Sequence, residues 1–201
     1  MEILQLEQTG NYGTFNKQIE LLLEQDKSEI VFFAEDDYLY RPGQLKNCIL
    51  KMKEDKRVDF ITPYDHADYY TLPLHERPVR VSFSHNTHWR EAVSTCLTFI
   101  TRKSVLSEAS EVFHFFSHGL HDAALWMVLT RFNMFNISNF FNLWRKKKSY
   151  ARWIIKAWKF GWKYLLFGRK YTLISPIPAA GTHLEGSLLS PGIDWDEYKK
   201  D

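Results

Sequence analysis

Glu29-Ile-Val-Phe-Phe-Ala34, an apolar run rich in β-formers and bounded by charge, ends directly in three acids, Glu35-Asp36-Asp37. A run this short and this apolar reads as a strand buried on both faces. The acids then stand just past its carboxyl end, where open α/β sheets hold their ligands. Oxygen donors at that position suit hard cations such as Mg2+ or Mn2+, which bridge to diphosphate oxygens. The same triplet serves elsewhere as a solvated turn or as charge at a helix N-terminus.

The flanking sequence supplies the layers such a strand needs. Thr14 is placed to cap a helix through Gln25, with Phe15, Ile19 and Leu22 on one face and Lys17, Glu20 and Glu24 on the other. Pro42 suits the first turn of a second helix to about Lys53, and Val58-Asp-Phe-Ile-Thr62 reads as another strand. Helix, strand, helix, strand predicts an α/β fold with a mixed, mostly parallel sheet flanked by helices. Residues 64–77 form a polar loop, Val79-Arg-Val-Ser-Phe83 alternates like an edge strand, and Cys96-Leu-Thr-Phe-Ile100 is a further strand candidate. Helices follow near 103–116 and 122–132.

At 201 residues and 45% hydrophobic content the chain can bury one sizeable core, so a single domain is expected over 1–201. The net charge of +2 is too small to name a partner. Cys48 and Cys96, far apart and outside any CxxC pattern, argue against a disulfide scaffold or thiolate zinc site and fit a cytoplasmic setting. Neither a secretory leader nor a spanning apolar run is expected. The chain opens on a helix and has no glycine-rich phosphate loop, so the usual first strands of a nucleotide-binding sheet are expected to be missing.

Four segments in order carry a family resemblance. AEDDYLYRPGQL resembles the acidic, DxD-type segment of family 2 glycosyltransferases with the GT-A fold. THWREAVSTCLTF resembles the acceptor-side strand of a bacterial subgroup of these enzymes, LHDAALW the start of its catalytic-base helix, and PIPAAGTHLEGSLLSPGIDW its C-terminal histidine segment. The resemblance implies a GT-A-like, N-terminally truncated domain. The implied activity is inverting transfer of a sugar from a nucleotide-sugar donor to a carbohydrate or lipid-linked acceptor, assisted by Mn2+ or Mg2+.

Residue by residue, Asp37 would ligate the metal, with Glu35 and Asp36 contacting the ribose, the base or metal-bound water. Glu35 departs from the family, which more often has Asp there. Asp122 matches the general base that takes the acceptor's proton, and it equally suits a helix N-cap. His121 stands where the family commonly has an acid. His183 matches the residue from which the C-terminal loop closes on the metal or diphosphate, and imidazole is an acceptable Mn2+ ligand. His88 and Trp89 offer a polar group and an indole face to a sugar, although Trp89 equally suits the core. Asp65 and His66 are weaker candidates for donor contact.

Residues 144–170, within a helical insert expected over about 141–170, hold four of the seven tryptophans. On a helix, Arg152, Lys156, Lys159 and Lys163 form one basic stripe, with Trp153, Ile154, Trp158, Trp162 and Leu165 around the rest. This pattern fits an anionic bilayer surface, and equally a core-packed helix with a solvated basic edge. No nucleic-acid motif accompanies it. A peripheral place at the inner membrane is expected, and a sheet edge left open by missing strands favours a homodimer. Two other readings stand beside the enzyme: a non-catalytic relative that binds a nucleotide-sugar or a partner, and a metal-dependent phosphoesterase, for which the dense His/Asp set of a two-metal site is lacking.

Overall fold

The computed structural model describes residues 6, 10–72, 75, 77–136, 140–141, 144–145 and 148–199. Its elements are α1 (Asn11–Glu24), β1 (Ile30–Phe33), β2 (Tyr38–Tyr40), α2 (Gln44–Glu54), β3 (Phe60–Ile61), α3 (Asp68–Thr71), β4 (Val81–Ser84), β5 (Thr87–Ala92), β6 (Phe99–Arg102), α4 (Lys103–Ser117), α5 (Asp122–Thr130), α6 (Lys148–Phe167), β7 (Leu173–Ile177) and β8 (Gly181–His183).

β1 is covered on both faces, as its composition predicts. Val31 and Phe33 are buried among the aromatic residues of α1 and α4, while Ile30 and Phe32 pack on the opposite side beside α2. The other strands alternate in the same sense. Phe60 and Phe99 face Phe113 and Trp126, whereas Ile61 and Ile100 face Cys48 and Met52 of α2. One layer therefore holds α2 and the other α1, α4, α5 and α6.

The main sheet runs β1-β6-β3-β7-β5-β4, and only β3 and β7 pair in parallel. The fold is α/β with a mixed sheet, but the sheet is mostly antiparallel, which corrects the expectation of a mostly parallel one. The pattern of helix and strand does predict direction. β1 and β3, joined through α2, point the same way because each is antiparallel to β6. It does not predict adjacency, since β6 arrives from later in the chain and inserts between them.

Local signals shift slightly. Gly10 precedes α1 with no side-chain cap, and the Thr14 hydroxyl donates to the Gly10 carbonyl at 3.0 Å instead of capping. Pro42 lies just before α2, and Gly43 turns the chain at φ 74°. β6 begins at Phe99, which leaves Cys96, Leu97 and Thr98 outside the strand.

α5 is buried from Ala123 to Thr130 and forms the central helix of its layer. α6 packs on it through Tyr150, Ala151, Ile154, Ala157, Gly161 and Leu165. The basic, Trp-rich helix therefore contributes to the core and is not a peripheral addition. Residues 142, 143, 146 and 147 of the expected insert lie outside the described residues, as do 1–5 and 7–9 of the N-terminal segment. No helix among the described residues is long and apolar enough to cross a membrane.

Candidate functional site

Beyond Phe33 the chain leaves the sheet and its acids meet the Cys96–Thr98 segment. The Glu35 N–H donates to Thr98 Oγ1 at 3.2 Å, and the Thr98 hydroxyl donates to Glu35 Oε2 at 3.0 Å. Burial pushes the Glu35 carboxyl above the usual carboxylate range; the Thr98 bond opposes this, and Asp37 and Asp122 add to it. Asp36 is exposed.

Asp37 is held by the small antiparallel pair of β2 and β8, in which Tyr38 lies opposite His183. The Leu184 N–H donates to the Asp37 carbonyl at 2.8 Å, and His183 Nε2 lies 3.0 Å from Asp37 Oδ2. The C-terminal segment is thereby clipped onto the acids. Gly181 permits the clip, because a Cβ there would fall 2.6 Å from the Tyr40 ring.

Asp122 is the first residue of α5, and His121 occupies the N-cap. Asp122 Oδ1 accepts the Ala123 N–H at 2.6 Å and is also in close contact with His121 Nδ1. That bond to Asp122 raises the His121 imidazole above its ordinary value, against the opposing effect of burial. The His121 ring stacks on Trp153 of α6 with centroids 4.8 Å apart and planes at 23°. His121, Asp122 and Trp153, with His66, Thr95 and Cys96, line a cavity of about 210 Å³. His66 is lowered by burial, while Asp68 and Asp122 act in the other direction.

A second cavity, of about 460 Å³, opens between α1 and the end of β1. Thr14, Gln18, Ala34, Asp36, Asp37 and Leu97 are among its lining residues. Cys96 lines the first cavity and Leu97 the second; the Cys96 thiol is pushed up to about 12 by burial and then by Asp122, with Glu35 and Asp37 adding. A run of aromatic contacts leads from His183 to His66: His183 to Tyr38 at 5.3 Å, Tyr38 to Tyr64 at 5.6 Å, and Tyr64 to His66 at 4.8 Å.

Compared with family models, with curated proteins and with solved structures, the chain matches none. The geometry alone therefore sorts the expected residues.

Asp37 and His183 meet beyond β1 next to Glu35, and His66, His121 and Asp122 line one cavity. Trp89 belongs to neither group: it is 1% exposed, packs with Met52 and Ile174, and donates its indole N–H to the Ser84 carbonyl at 3.1 Å. It is a core residue, and the expectation of a sugar platform there is corrected, because its ring faces are covered by side chains from α2 and β7. His88 is exposed beside Phe83 on β5 and lines neither cavity described above. Asp65 is buried and committed to structure, accepting from the Tyr70 hydroxyl at 2.5 Å and lying 3.4 Å from Arg90 Nη1. Trp153, not singled out as a site residue from the sequence, lines the cavity with His121 and Asp122. Its signal was hidden within the tryptophan-rich stretch, where spacing alone does not tell a cavity wall from a core contact.

Among the described residues no group of three His, Cys, Asp or Glu side chains converges as a metal cage. Mg2+ sites shared with substrate phosphates use only one or two carboxylates from the protein, and Asp37 suits that role. His183 suits it less well. Its Nδ1 accepts the Glu185 N–H at 3.1 Å, which leaves the ring proton on Nε2, the atom facing Asp37. A ligating imidazole donates its second N–H outward, the reverse of this arrangement. His183 is therefore placed to orient the Asp37 carboxylate.

Proposed function

We propose that the chain binds a nucleotide-sugar at the acids beyond β1 and transfers the sugar, with inversion, to a hydroxyl activated by Asp122. This is the chemistry of the family 2 glycosyltransferases that its motifs resemble, on a GT-A-like fold. The carrying observation is geometric: Glu35 is held to Thr98 and Asp37 to His183 beyond β1, while Cys96, two residues before Thr98, lines one cavity with Asp122.

In this reading the nucleoside diphosphate occupies the cavity beside α1, and the acceptor occupies the one lined by Asp122 and Trp153. Asp122 takes the acceptor proton while the freed oxygen attacks the anomeric carbon and the bond to the diphosphate breaks. His121, ion-paired to Asp122, orients the carboxylate. Trp153 offers a ring edge or face to the C–H surface of a sugar. A Mg2+ or Mn2+ ion held at Asp37 would supply neutralising charge to the departing diphosphate. The setting is cytoplasmic, beside the membrane where lipid-linked acceptors reside.

A second reading, binding without transfer, draws support from Asp122 itself. Its Oδ1 already accepts the Ala123 N–H and meets His121, so that oxygen is engaged by the helix start and the imidazole. Calorimetric titration of UDP-, GDP- and dTDP-sugars with and without Mn2+ tests the donor site. Binding is expected to require the metal and to be lost in Asp37→Ala; binding indifferent to that substitution removes the proposal. Asp122→Asn is expected to lower turnover roughly 100-fold or more while leaving donor affinity unchanged. Absence of wild-type turnover on any acceptor, with donor binding intact, selects the second reading.

A further inference from the structure

We infer that the outer face of α6 docks onto an anionic lipid bilayer. The face of α6 turned to α5 is spent on the core; the face opposite it carries Arg152, Lys156, Lys159 and Lys163, and an apolar seam runs along its flank. Ile155, Trp162 and Leu166 are 48%, 46% and 50% exposed. At about 100° per residue they fall within roughly 40° of one another and form a single seam along the helix. Phe167, at the end of the helix, is 80% exposed. Beside the seam, Phe141 and Phe140 meet Ile155 and Trp158 around an apolar groove of about 340 Å³. Several large apolar side chains exposed along one line of a helix mark an interaction site.

Charge identifies the occupant. α6 contains no acidic residue, and exposed Arg152, Lys159 and Lys163 run alongside the seam. An anionic partner is required, and it must also accept apolar side chains. A bilayer meets both demands: tryptophan settles at headgroup depth, Ile155 and Leu166 reach the acyl boundary, and the cations sit on phosphates. A nucleic acid satisfies the charge but offers no apolar phase to the seam. A second copy satisfies the seam but brings like charges together. No described helix crosses a membrane, so α6 lies in the interface plane.

The same helix lines the Asp122 cavity through Trp153, and Lys156 donates to the Gly119 carbonyl close by, at 3.1 Å. On the transfer reading, a docked α6 holds the acceptor cavity beside the headgroups of a lipid-linked acceptor. The docking itself uses neither Asp37 nor Asp122, so its failure and the failure of that reading are separable.

Flotation of the full chain with vesicles of phosphatidylcholine, alone or mixed with phosphatidylglycerol, tests the inference. Binding is expected with the mixed vesicles only, weakened by salt. Lys159→Glu with Lys163→Glu is expected to reduce the partition coefficient roughly 30-fold or more, taking about 1 kcal/mol for each basic residue. Ile155→Ser with Trp162→Ser is expected to reduce it as well, and to remove part of the tryptophan quenching by brominated acyl chains. All four positions are exposed, so circular dichroism and nucleotide-sugar titration should stay at wild-type values and show that the variants fold. No flotation with mixed vesicles, equal flotation with phosphatidylcholine alone, or binding indifferent to both double variants overturns the inference. So does an oligomer, seen without lipid, that Ile155→Ser with Trp162→Ser disperses while vesicles are not bound. Retention of single-stranded DNA in place of vesicles overturns it equally.

Discussion

His75 lies against the Tyr69 ring with centroids 5.1 Å apart, and its buried Nδ1 has no hydrogen-bond partner among the described residues. Burial, then the charges of His66, Arg90 and Arg77, lowers its imidazole to about 4. In the unfolded chain the same group titrates near 6.5. Between those values the unfolded state takes up a proton that the folded state refuses, so stability rises with pH across that window. It is complete above about 6.5 and falls as the medium is acidified toward 4. Urea unfolding at pH 7 and pH 5 is expected to show a loss that His75→Phe reduces. The full effect, reached toward pH 4, is on the order of 3 kcal/mol, of which about 2 kcal/mol is expressed by pH 5. An equal acid loss in both proteins would count against this account. Nothing in the local sequence points to His75, because its depressed value arises from residues brought together by the loop and by β5. Glu35, Asp37 and Asp122 were legible, since each follows or opens a recognisable element.

Among the elements, α5 and α6 show how closely two helices approach when one residue is small. A Cβ on Gly161 would fall 2.6 Å and 2.8 Å from the γ carbons of Val128. Val128 is β-branched and buried within a helix, so it has little freedom to yield. On an exposed helix, glycine to alanine stabilises by up to about 1 kcal/mol. Here the overlap is the larger effect, with overpacking costing roughly 1–3 kcal/mol. Gly161→Ala is therefore expected to lower the urea midpoint, and a raised midpoint would show that the helices separate freely. The existence of most helices was readable from apolar spacing, and α6 was readable as a helix with a basic stripe. Which tryptophan would be buried, exposed or set against His121 was not, because spacing gives the angle of a side chain around its own axis and says nothing of what lies opposite.

For the whole molecule, β1 and β4 are the two ends of the sheet, and β1 carries the site at its carboxyl end. Among the described residues no strand pairs with the outer side of β1, and an open row of backbone donors and acceptors favours association. Light scattering is expected to give about twice the 23.9 kDa of the chain, with a monodisperse monomer as the result that overturns this. The covered β1 strand, the acids beyond it and an α/β fold followed from the order of residues, because burial pattern and turn chemistry are local properties. The antiparallel insertion of β6 between β1 and β3 did not, nor did the clip of His183 onto Asp37, the commitment of Trp89 to the core, or the stacking of Trp153 on His121. Each of these depends on which segments, distant in sequence, become neighbours. That choice is made by the burial of whole faces against one another, which no single stretch of the chain encodes alone.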